Sequence, residues 1–74
     1  MKHEHINVNP RVMVGKPVIK GMRIPVEQIL RELAGGMTIA DIIDAHPRLT
    51  SEAILAAIAY AADVAGHEDI FPTP

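Results

Sequence analysis

Few side chains in this 74-residue chain have types that could act on a substrate or hold an ion: His3 and His5, the Gly15-Lys16 pair, and the hydroxyls of Thr38, Thr50 and Ser51. His3-x-His5 offers two imidazoles, but a metal site needs a third and usually a fourth ligand, and neither His46 nor His67 has Cys or carboxylate spacing to supply them. Gly15-Lys16 ends like a phosphate-binding loop, yet Pro17 stands where that loop carries a hydroxyl and no second glycine precedes it at the required distance. The three hydroxyls all lie where helices should begin, which uses them as caps and leaves no nucleophile beside a base. With no cysteine, thiolate chemistry is absent. A chain this short is also not expected to enclose a ligand pocket of several hundred cubic ångströms. The expectation is a protein that is not an enzyme, with no catalytic residue, no cofactor and no metal.

If the chain works by contact, its charge and apolar surface decide what it touches. The net charge is -2, but residues 1–32 hold six basic side chains against three acidic ones, while residues 33–74 hold Arg48 against six carboxylates. An anionic partner would therefore meet the N-terminal half. Only Tyr60 and Phe71 are aromatic, so base stacking is disfavoured and the core must be aliphatic. No apolar run approaches the roughly 18 residues that span a bilayer, and the N-terminus MKHEHINVNP lacks an apolar leader. A soluble, cytoplasmic protein is expected. One domain of this size without disulfides gains from a partner or from self-association.

The elements that must position these groups follow from periodicity. Residues 6–24 alternate β-branched stretches with Pro and Gly and read as a β-hairpin, with strands near 12–14 and 17–24. A two-stranded hairpin is marginal alone, and pairing with a second copy would shield it. Val26, Ile29, Leu30 and Leu33 follow Pro25 at helical spacing and Gly35-Gly36 supplies the stop, giving a helix over about 25–34. Thr38 and Asp41 frame a capping box for a short helix over about 39–45, which Pro47 ends. Thr50 or Ser51 caps a third helix, about 51–65, ended by Gly66. Within it Ile54, Ile58, Ala61 and Ala62 read as one face, with Leu55, Ala56, Ala59 and Tyr60 spread over the rest. It is apolar nearly all round and so requires cover on more than one side.

The fold expected is mainly α: a short N-terminal β-hairpin (6–24), a three-helix, helix-turn-helix (homeodomain-like) unit (25–65) and a tail (66–74), all in a single domain, 1–74. In such a fold the last helix would read DNA, but residues 51–65 contain no Lys or Arg and carry Glu52 and Asp63, which repel phosphates. The cations of the hairpin, Arg11, Lys16, Lys20 and Arg23, are the better candidates for nucleic-acid contact, in a dimeric β-ribbon. The alternative is that they only solvate an exposed hairpin.

The segment Gly15-Lys16-Pro17-Val18-Ile19-Lys20-Gly21-Met22-Arg23-Ile24-Pro25-Val26 closely resembles a prokaryotic family, domain of unknown function 433. Asn9-Pro10, Leu33-Ala34-Gly35-Gly36, Asp41-Ile42, Pro47-x-Leu49-Thr50 and Ala57-Ile58-Ala59-Tyr60-Ala61 agree with it, so the resemblance covers about residues 6–64. Met22 departs from the family's usual Thr, so no role of that hydroxyl carries over. The resemblance implies a homeodomain-like helical fold with an N-terminal hairpin, often dimeric, and a frequent role as the antitoxin of a small PIN-like ribonuclease toxin. The expectation that results is an antitoxin-like binding module that dimerises and masks the nuclease through Leu55, Tyr60, Ile70 and Phe71. The alternatives are a helix-turn-helix DNA-binding regulator without a toxin, and a structural dimer with no nucleic-acid contact.

Overall fold

In the computed structural model of the protein, which describes residues 3–8 and 15–66, two short strands precede three helices. Strands β1 (Ile6–Val8) and β2 (Pro17–Ile19) pair antiparallel, with Ile6 opposite Ile19, Asn7 opposite Val18 and Val8 opposite Pro17. The ladder continues for one more bond, from Lys20 N–H to His5 C=O at 2.8 Å. The hairpin is thus confirmed, but its strands differ from the sequence reading. The first is Ile6–Val8, and the segment 12–14 expected to form it lies outside the described residues. The second ends at Ile19, because the chain turns over Lys20–Arg23, with Gly21 at φ 82° and Arg23 at φ 56°. Met22 N–H bonds Ile19 C=O at 3.1 Å, and Ile19 N–H bonds Ile24 C=O at 2.8 Å, which closes this turn. The far side of β2 also touches Pro25 through an isolated bridge at Val18.

Helix α1 (Val26–Ala34) starts one residue later than the sequence suggests. Pro25 stands at its N-cap with extended ψ 138° and caps nothing with its side chain, but Glu27 places a carboxylate in the first turn, where the helix dipole favours it. On its exposed face Arg31 Nη2 and Nε donate to Glu27 Oε2 at 2.8 and 3.0 Å, one turn apart. At the far end Gly36 adopts φ 102°. Gly36 N–H then reaches Leu33 C=O and Met37 N–H reaches Glu32 C=O, at 3.0 and 3.1 Å. This paired closure satisfies carbonyls that the last turn would leave open, and only a residue without Cβ takes that φ freely.

Helix α2 (Ile39–Ala45) opens on a reciprocal capping box: Asp41 N–H donates to Thr38 Oγ1 and Thr38 N–H donates to Asp41 Oδ2, both at 3.0 Å. It ends at His46, which leaves the helical region ahead of Pro47. Helix α3 (Ser51–Ala65) is capped by Thr50, whose Oγ1 accepts from Ala53 N–H at 3.1 Å. Ile29, Ile42, Ile54 and Ala57 are fully buried, and Ile19, Val26, Leu49 and Ala53 nearly so. These form one aliphatic cluster to which every helix and β2 contribute, with Ile6, Met22, Leu30 and Tyr60 packed around it. The small side chains of Ala53 and Ala57 keep α3 close to the rest of that cluster.

Candidate functional site

Helix α3 buries only Ala53, Ile54 and Ala57. At about 100° per residue, Leu55, Ala59 and Ala62 point the opposite way, with Ile58 at the border of the stripe. All four are exposed, Leu55 at 54% and Ile58 at 37%. This outward stripe has no charged side chain within it, although Glu52 and Asp63 flank it. Ile58 and Ala62 therefore do not share the buried face of Ile54, as the sequence reading had them. Ile54 keeps its place in the core, but it is joined there by Ala53 and Ala57.

Tyr60 belongs elsewhere. It lies about 140° around the helix from Leu55, half-buried against the core, and lines an open apolar groove of about 280 Å³ with Pro17, Val26, Leu30 and Val64. Val64 is 52% exposed there. The structure therefore does not bring Leu55 and Tyr60 together on one surface. Ile70 and Phe71, the other two residues expected to join them, lie outside the described residues. Ile58 and Val64 were not singled out as binding residues; helical spacing from Leu55 would have pointed to the first, while the exposure of Val64 comes from its place at the helix end.

The basic candidates are also divided. Arg11 lies outside the described residues. Lys16 Nζ is 3.4 Å from Glu27 Oε1, and Arg31 shares the same carboxylate. Bonding to Arg31 first, and to Lys16 second, holds the Glu27 carboxyl below its ordinary value of 4.5. Lys20 and Arg23 flank the turn after β2 and are exposed. Both stand past Ile19, the last residue of β2, although the Lys20 amide still donates to His5 C=O across the ladder. A third cation joins them that the sequence did not suggest, since it lies in the acidic half: Arg48 Nη2 lies 3.5 Å from Gly21 C=O.

Two of the four histidines, His3 and His46, serve as tethers. His3 Nε2 is 2.8 Å from Asp63 Oδ2, and its ring stacks edge-on against Tyr60 with centroids 5.1 Å apart, pinning the N-terminal segment to α3. His46 Nε2 is 3.1 Å from Glu32 Oε2, which also accepts from Gln28 at 3.1 Å, joining the end of α2 to α1. The His46 contact, then that of Gln28, lowers the Glu32 carboxyl below its ordinary value, against the effect of partial burial. Its second oxygen, Oε1, is shielded from solvent without a partner among the described residues. These residues contain no group of three His, Asp or Glu placed to hold a metal. None of their helices is long and apolar enough to cross a membrane.

A hairpin laid on three helices, with an apolar outward helix stripe and a separate basic turn, defines a small, mainly helical protein. The chain belongs to the family described as protein of unknown function (DUF433), whose sequence profile matches residues 6–61. It is similar to an uncharacterized protein, y4eO, from Sinorhizobium fredii, with 33% identity over 58 residues, covering 78% of this chain and 26% of that protein. Its fold is similar to the crystal structure of a DUF433 member from Anabaena variabilis, with a TM-score of 0.76 and 29% identity over 80% of this chain and 58% of that one. The chain thus spans about a quarter of the first relative and little over half of the second.

Proposed function

We propose that this chain is an antitoxin-like binding module that dimerises and neutralises a PIN-like ribonuclease by covering it, without chemistry of its own. The observation that supports this reading is the outward stripe of α3. Leu55 and Ile58 are large apolar side chains held in water on a rigid helix whose opposite face is locked into the core. Such a helix face matches an apolar groove on a partner, with anchors at i, i+3, i+4 and i+7, here Leu55, Ile58, Ala59 and Ala62. The family resemblance supplies the class of partner. The hairpin suits self-association, because among the described residues β1 pairs with β2 alone and Val8 is exposed.

The test is titration of the full chain into a PIN-like ribonuclease cleaving a labelled RNA. Inhibition at near-equimolar chain is expected, and Leu55→Asp should raise the concentration needed by at least tenfold while the far-ultraviolet circular dichroism is unchanged. Equal inhibition by the variant would remove α3 from the interface. No inhibition by the unaltered chain would remove the toxin-neutralising role.

A further inference from the structure

We propose that the Lys20–Arg23 turn and Arg48 form a second binding surface, one that grips the phosphodiester backbone of a nucleic acid. Five Lys and Arg side chains fall within the described residues. Two of them, Lys16 and Arg31, are taken up by Glu27. The other three, Lys20, Arg23 and Arg48, are exposed and form no ion pair among the described residues, and the fold sets Arg48 against the turn whose two ends are Lys20 and Arg23. Lys20 and Arg23 bracket a closed turn, and the α2–α3 connection lays Arg48 over its Gly21 carbonyl. Three like charges repel one another, and none of the three is within ion-pairing distance of a carboxylate among the described residues, so their placement opposes stability unless an anion binds there. Glu4 is the acidic residue that lines an open hollow with Lys20.

The backbone supplies an independent observation. Arg23 is the one non-glycine residue described with positive φ, 56°. That conformation disfavours any residue with a Cβ and suits glycine, yet the position carries a guanidinium facing solvent. Strain of this kind, when the surrounding fold enforces it, collects at binding sites. Beside it Gly21, at φ 82°, has no atom within 4 Å of where a Cβ would stand, so the main chain here is open to close approach.

The chemistry of the turn selects the ligand. Two planar guanidiniums and an ammonium match phosphate oxygens. Met22, the apolar residue of the turn, is half-buried against the core, leaving the turn itself no exposed apolar side chain to enter a bilayer and no large anchor of the kind protein interfaces use. Cations without anchors give backbone contacts that carry no sequence information. This surface is chemically distinct from the α3 stripe, which has anchors and no cation, and it stands or falls separately from the antitoxin reading.

Fluorescence anisotropy of a labelled, mixed-sequence 20-base-pair DNA duplex, titrated with the full chain at salt concentrations from 50 to 200 mM, tests the proposal. Three phosphate contacts give a log–log salt slope of about -2.7 per chain, at about -0.9 per contact, or roughly a 40-fold loss of affinity across that range. Arg48→Ala should reduce the slope by about 0.9, Arg48→Lys should retain it, and Lys16→Ala should leave it unchanged. Arg23→Gly should reduce it equally while the melting temperature holds or rises, a combination that a purely structural arginine would not give. Absence of duplex binding at 50 mM salt would overturn the proposal. So would an unchanged slope in Arg48→Ala, or tighter binding to phosphatidylserine vesicles than to the duplex.

Discussion

Glu32 concentrates its polar contacts on one oxygen, Oε2, which meets both His46 and Gln28, while Oε1 is shielded and has no partner among the described residues. The ionised form is the one these contacts favour, so the carboxyl titrates below its ordinary value of 4.5 in the folded protein. Its stabilisation is therefore complete above that ordinary value and is lost as pH falls through the lowered folded value. Glu27 and Asp41, lowered by Arg31 with Lys16 and by Thr38 respectively, act in the same direction. Thermal melts between pH 3 and 6 should show the melting temperature falling on acidification, and Glu32→Gln should remove part of that fall. An identical pH dependence in the variant would mean that the His46 tether contributes nothing to folding. Neither histidine pairing was legible in the sequence: His3 and Asp63 lie 60 positions apart, and the 14 positions between His46 and Glu32 match no local pattern. The same distance hid Arg48, which joins Lys20 and Arg23 only because the α2–α3 connection folds back over the turn.

Helix boundaries were readable because capping is local chemistry. Thr38 with Asp41, Thr50, Gly36 and Pro47 each act within a few residues of their own position, and the ends of α2 and α3 fall where those residues put them. Thr50→Ala should lower stability by about 1 kcal/mol, the usual loss for an N-cap hydroxyl, seen as a fall in melting temperature of roughly 4–8 °C for a domain of this size. No change would mean that solvent replaces the Thr50 oxygen at Ala53 N–H. The strands were less legible. β-propensity runs on through Ile24, but the positive φ of Gly21 and Arg23 turns the chain away from β1 after the Lys20 amide. Propensity also cannot show that Ile6–Val8 is the partner of β2, because pairing across the intervening residues depends on tertiary contact.

At the scale of the whole molecule, the proposed interface places stability and binding on adjacent residues of one helix. Ile54 is fully buried in the common cluster, and Leu55 beside it is largely exposed. Ile54→Ala should cost about 2–5 kcal/mol, a large share of what so small a core supplies, and a broadened or missing melting transition is the expected result. Leu55→Asp should change stability by about 0.5 kcal/mol or less; comparable losses from the two would contradict the division. That α3 has more apolar surface than one core can cover was plain from its composition. Which residues formed the surplus was not, since Leu55 and Tyr60 face different ways and a helix apolar all round leaves its orientation open.

The most direct test of the central claim is calorimetric titration of the chain, with Leu55→Asp alongside, into a catalytically inactivated PIN-like ribonuclease, with light scattering of the product. A stoichiometric complex that Leu55→Asp weakens by at least tenfold is the predicted result. Absence of heat and of any complex with the unaltered chain, or equal affinity for both chains, would contradict it.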